Sequence, residues 1–274
     1  MLDEVRLRLV GAAGASGYHR VAHDLPQSRA LSSLALFVAL ASPAPAQTVT
    51  EWSAENRVAL SFHVNDAALQ RLLPPGWTSA PSTAPGNRGA NLTVTFIERQ
   101  LVLDGHGMQH RAGASRYIVL VAPARNAAGD ANAILVSGLS PEGAGAYGVN
   151  LTAVVSTVTR SLSAQAEESG RAEEQWEFAA ASGERIDLRV AYRRAPPVKS
   201  HAETKLRSAV RPDYTRSYKV DQAADVVRSA STPDRVETLT FSASGAAFAP
   251  LFDGKETLLS VTSFPWYVRE ISVP

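Results

Sequence analysis

Beyond residue 57 the apolar positions recur mainly at every second residue, the period of a strand with one buried face. Val58, Leu60, Phe62 and Val64 alternate with Ala59, Ser61 and His63, which predicts a strand over 58–64. Asp66 then stands where a helix cap belongs, ahead of a short helix from Ala67 to Leu73 that Pro74-Pro75-Gly76 stops. Residues 79–89 are rich in Pro, Ser and Gly and read as a loop. A long strand is expected from Leu92 towards Leu103, followed by strands at Tyr117–Val121, Ala133–Val136 and Leu151–Val158. Between the last two, Gly138, Gly143, Gly145 and Gly148 break the pattern and suit a tight bend. Gln175–Phe178 and Ile186–Tyr192 flank Ser182-Gly183 and read as a hairpin. The polar stretch 200–232 is expected to form a helix and loops over the sheet, and 238–242 with 258–274 a closing β pair.

The pattern before residue 47 is of another kind. After Arg29 no charge occurs from Ala30 to Ala41, and Ser42-Pro43-Ala44-Pro45-Ala46-Gln47 follows. A basic flank, a short apolar run and a small-x-small exit make a secretory signal, with cleavage expected after Ala46 and a periplasmic or secreted product. The run is too short to span a bilayer, which takes roughly 20 apolar residues. Residues 1–46 are thus read as leader and signal peptide, 1–28 of them as the result of a start site set too early, and 47–274 as a single domain.

Composition removes several classes of function. The chain has no cysteine, which excludes disulfides, thiolate metal sites and a cysteine nucleophile. After Ala46, Lys+Arg and Asp+Glu balance, and no basic stripe is present to meet phosphates, so no nucleic-acid partner is expected. No later apolar run has membrane length, so the mature chain is expected to have no membrane span. No phosphate-loop or Gly-x-Ser-x-Gly motif occurs. His106 and His110 have the spacing of two metal ligands on a helix, but the glycines around them point to an exposed turn. No metal and no cofactor is expected. The oligomeric state stays open, a homo-oligomer included.

Three segments then give the chain a family likeness. The first is Leu60-Ser-Phe-His-Val-Asn-Asp-Ala-Ala-Leu-Gln-Arg-Leu-Leu-Pro-Pro-Gly-Trp77, the second Gly183-Glu-Arg-Ile-Asp-Leu-Arg-Val-Ala-Tyr192, and the third Phe248-Ala-Pro-Leu251 through Ile271-Ser-Val-Pro274. In order and spacing they resemble the acetoacetate decarboxylase-like superfamily over residues 57–274. The resemblance implies an α+β, β-dominated fold: a curved, mixed β-barrel with a few peripheral helices around a pocket for a small molecule.

The resemblance also implies a chemistry that this sequence does not carry. The family's decarboxylases attack a ketone with a buried lysine whose pKa a neighbouring lysine depresses. The matching positions here are Gly145 and Ala146, and the only lysines are Lys199, Lys205, Lys219 and Lys255. An arginine that the family places near the end of the first strand is replaced by His63. The expected function is therefore an exported, non-decarboxylating protein that binds a small apolar or carbonyl-bearing ligand. The alternative is a lyase- or hydrolase-type enzyme that uses acid–base residues of the same pocket, with His63, Glu98 and Arg116 as the candidates. Tyr147, Asn150 and Trp266 are the candidate ligand-binding residues.

Overall fold

The computed structural model describes residues 47–110, 114–164, 170–211 and 213–274, so the expected signal peptide lies outside the described residues. Twelve strands dominate: β1 (Thr48–His63), β2 (Trp77–Ser79), β3 (Leu92–Asp104), β4 (Ser115–Asn126), β5 (Ala131–Ser140), β6 (Asn150–Ser163), β7 (Arg171–Ala180), β8 (Arg185–Arg193), β9 (Val198–Ser208), β10 (Thr215–Arg228), β11 (Val236–Ser244) and β12 (Thr257–Val273). One short helix, α1 (Asp66–Gln70), follows β1.

β5 is the junction of the sheet. One edge pairs antiparallel with β4. The other is shared: Ala133–Leu135 run parallel to Leu206–Ser208 of β9, and Gly138–Ser140 run parallel to Asn150–Thr152 of β6. From β9 the pairings continue through β10, β12, β1, β3 and β4 back to β5, so seven strands close a hydrogen-bonded ring. From β6 a second run, β6-β7-β8-β11, leaves the ring. Gly138 permits the branch, because a Cβ there would collide with the Ile118 carbonyl and the Asn150 side chain.

Pleat parity assigns each side chain to one of two interiors. Val58, Leu60 and Phe62 of β1, Val94 and Phe96 of β3 and Ile118 and Leu120 of β4 pack with Trp176, Phe178, Ile186 and Leu188 of the second run. Phe96 centres this core, with ring centroids 5.8 Å from Trp176 and 6.4 Å from Phe178. The intervening residues of β3, β4 and β5 face into the ring, where Leu135, Tyr147, Tyr218, Val220, Tyr267 and Ile271 form a second cluster.

Several expectations are corrected here. Residues 200–232 contribute the β9–β10 hairpin, not a helix with loops. β9 is exposed on nearly every side chain from Val198 to Lys205, so no apolar alternation marks it, and its backbone pairing with β10 makes the strand. β11 and β12 do not pair with each other: β11 lies on β8, and β12 lies between β1 and β10. The helix spans Asp66–Gln70, and its cap is Asn65, whose Oδ1 accepts from Ala68 N at 3.0 Å. Asp66 instead accepts from Asn91 Nδ2 at 2.8 Å. The hairpin turn does fall at Ser182-Gly183, where Gly183 takes a φ of 101°.

Candidate functional site

The ring encloses a cavity of about 320 Å³. One wall is apolar, built by Val119, Val121, Ala133, Leu135 and Leu206. Another part of the lining is charged. Arg57, Arg99, Arg216 and Arg269 reach the cavity from four strands, together with Glu51 and Glu142. Ring closure brings these arginines together, since 212 residues separate the first from the last.

A buried carboxylate organises this wall. Glu55 is 3% exposed and accepts from Ser53 Oγ at 2.7 Å and from Arg57 Nε at 2.6 Å. Arg269 Nε lies 2.9 Å from the other side of the same carboxylate. Burial by itself raises such a carboxyl, but Arg269, Arg57 and Ser53 together outweigh it and hold the group below its ordinary value. Arg269 also donates to Tyr117 Oη at 2.7 Å. Arg99 is held between Glu51, at 3.4 Å, and Glu142, at 2.5 Å, and donates to Ser115 Oγ at 2.9 Å. Three glutamates thus answer three arginines.

Arg216 has no such answer. Its Nε donates to Tyr214 Oη at 2.7 Å, and its guanidinium lies 5.8 Å from the ring centroids of both Tyr147 and Tyr214. No carboxylate pairs with it among the described residues. Beside it the hydroxyls of Tyr147 and Tyr218 share a hydrogen bond of 2.5 Å. Burial raises the pKa of both phenols above 10, so both are proton donors at neutral pH. The pair owns two O–H protons and consumes one. Neither oxygen has another protein partner among the described residues, so one proton is free to be donated elsewhere.

The structure separates the residues expected to work together. Tyr147 and Asn150 line the cavity, and so do Gly145 and Ala146. His63, Glu98, Arg116 and Trp266 do not line it. His63 sits half-exposed at the end of β1, bonded to Gly89 O at 3.0 Å and 3.8 Å from Asp66. Glu98 and Arg116 do meet, at 3.1 Å, but on the core-facing side of the ring, where Arg160 joins Glu98 at 2.9 Å and Glu174 at 3.1 Å. The proposed acid–base trio is therefore not assembled: parity turns Glu98 and Arg116 away from the cavity, and His63 stands beyond it. Trp266 is 44% exposed, with the Lys199 ammonium 5.9 Å from its ring. All four lysines are exposed, and none lines the cavity. His106 and His110 are exposed near the turn after β3, and no group of metal-binding side chains occurs among the described residues.

Sequence reasoning missed the arginines. Each lies in a run of strand-like residues, and Arg57 and Arg99 take the phase opposite to Val58 and Phe96, but alternation does not say which phase lines a cavity.

No family model matches the chain, and no curated protein matches it in sequence. Similar solved structures do exist. An enduracididine biosynthesis enzyme, MppR, complexed with the condensation product of pyruvate and imidazole 4-carboxaldehyde, is 13% identical with a TM-score of 0.46, over 81% of this chain and 87% of that one. An acetoacetate decarboxylase-like enzyme from Sphingomonas wittichii RW1 is 11% identical with a TM-score of 0.44, over 81% and 91%. An acetoacetate decarboxylase from Legionella pneumophila is 13% identical with a TM-score of 0.44, over 86% and 91%.

Proposed function

We propose that this chain is an exported protein that binds a small carboxylate bearing a carbonyl or equivalent acceptor oxygen, and that it does so without forming a lysine imine. The observation that carries the reading is Arg216, the cavity arginine that no carboxylate among the described residues neutralises. A partly buried, uncompensated guanidinium favours an anion, and its planar fork suits a carboxylate. The free proton of the Tyr147–Tyr218 pair calls for an acceptor close to that carboxylate. The apolar wall of Val119, Val121 and Leu135 suits a short hydrocarbon body, and the volume suits a small ligand.

The imine half of the proposal rests on the lysines. An imine needs an unprotonated amine in the pocket, and an exposed lysine, with a pKa of about 10.4, is almost wholly protonated at neutral pH. Gly145 and Ala146 supply no amine. Incubation of the chain with acetoacetate, borohydride reduction and intact-mass measurement tests this directly. The expected result is no adduct and no release of carbon dioxide above the uncatalysed rate. A stoichiometric adduct on one lysine, with carbon dioxide released, overturns the proposal.

A further inference from the structure

A second cavity, of about 270 Å³, lies on the other side of β1. Asn56, Gln100, Arg194, Tyr192, Phe264 and Pro265 are among its walls. Most charges around it cancel. Glu174 and Glu98 are matched by Arg160 and Arg116, and Asp225 is bound by Arg235 and by the Ala195 amide at 3.0 Å. Arg194 is left over: its guanidinium has no ion pair or hydrogen bond among the described residues. The amides of Asn56 and Gln100 are likewise unengaged there, so a cation and two amide donors face the same space, with Leu162, Pro197, Phe264 and Pro265 as its apolar side.

Arg57 is the one residue among those described that lines both cavities. Its guanidinium stands 3.6 Å from the Tyr267 ring, on the first cavity's wall, and is 2.5 Å from Glu55. Its Nη2 is buried and ion-paired with Glu55 but has no aligned hydrogen bond. Glu55 also holds Arg269 of the first cavity, at 2.9 Å.

We propose that the second cavity is a binding site for a small apolar carboxylate, held by Arg194, and that its occupancy weakens ligand binding in the first cavity through Arg57. The sign follows from the contacts. An anion beside Arg57 draws that guanidinium from Glu55, which then neutralises Arg269 more fully and leaves the first cavity less positive. Repulsion between two anions across one wall acts in the same direction. The coupling is reciprocal, on the order of fivefold in affinity at the weak end of typical values. The proposal rests on the first cavity's carboxylate reading only for the coupling; binding at Arg194 stands apart from it.

The test uses the full chain with two probes, benzoate for the second cavity and 4-oxopentanoate for the first, followed by calorimetry. Benzoate should bind the wild type, lose at least tenfold in affinity in Arg194→Gln, and weaken 4-oxopentanoate binding several-fold in the wild type but not in that variant. Arg194→Gln should bind 4-oxopentanoate as the wild type does. Crystals soaked in 4-bromobenzoate give an independent check, with the bromine's anomalous signal expected between Arg194 and Phe264. No benzoate binding, an unchanged affinity in Arg194→Gln, or a bromine in the first cavity overturns the site. Binding of both probes without mutual effect overturns the coupling. Failure of 4-oxopentanoate alone, with benzoate bound, counts against the first cavity's reading and leaves the second site standing.

Discussion

Tyr147 and Tyr218, 71 residues apart, join hydroxyl to hydroxyl at 2.5 Å and leave one proton pointing away from the pair. A buried donor without an acceptor costs about 1–3 kcal/mol, so a ligand that supplies one is favoured over an isostere that does not. The wild type should therefore prefer 4-oxopentanoate to pentanoate by about 5- to 150-fold, the equivalent of that range. Tyr147→Phe/Tyr218→Phe should bind both equally. Each single variant keeps one hydroxyl and part of the preference. Parallel titrations of the two acids read the ratio, and a preference that survives the double substitution contradicts the assignment.

Glu55 makes the stability of the chain dependent on acid. Its folded pKa is depressed below the ordinary value of 4.5, so the folded state binds its proton less readily than the unfolded state. The stabilisation is fully present above about pH 4.5 and is lost as the pH falls through the depressed value. Glu55→Gln should be destabilised at pH 7, by about 3–5 kcal/mol, because Arg57 and Arg269 lose a buried partner. Its melting temperature should then fall less steeply than that of the wild type in acid. Thermal unfolding by circular dichroism from pH 7 to pH 3 provides the comparison, and parallel curves argue against the role given to Glu55.

Asn65, not Asp66, should carry the cap of α1. Asn65→Ala should cost about 1 kcal/mol, a fall in melting temperature of about 2–4 °C for a chain of this size. Differential scanning calorimetry measures it; an unchanged melting temperature contradicts the cap.

How far the site could be read from the chain depended on what alternation encodes. The strands at 92–103, 117–121 and 133–136 and the turn at Ser182-Gly183 were legible because a half-buried strand and a two-residue turn each leave a local mark. β9 left none, since both of its faces are wet along most of its length. Partner choice was illegible too, as β11 and β12 show: alternation says that a strand has a buried face, not which strand lies beside it. Glu98 shows the same gap at the site. Ile97 and Glu98 are neighbours on β3, yet Ile97 lines the cavity while Glu98 joins Arg116 and Arg160 outside it. Thr95, Ile97 and Arg99 on one face and Val94, Phe96 and Glu98 on the other each mix apolar and polar residues, so the pattern alone could not assign the faces. Tyr147 and Asn150 came from the family likeness, and both stand at the cavity.

Export carries its own expectation. The segment Ala30–Ala46 should be removed, and the protein recovered from a bacterial envelope or culture fluid should begin at or next to Gln47. N-terminal sequencing by mass spectrometry decides it. A soluble cytoplasmic protein that retains residues 20–46 contradicts the proposal.

The central claim, that Arg216 holds a ligand carboxylate, is tested most directly by calorimetric titration of 4-oxopentanoate into the wild type and into Arg216→Gln. A hydrogen bond to a charged group is worth about 1.5–3 kcal/mol, so the substitution should weaken binding roughly 10- to 150-fold. The melting temperature should stay close to that of the wild type, because Arg216 gives up no ion pair among the described residues. Equal affinity in the two proteins, with both folded, would contradict the account.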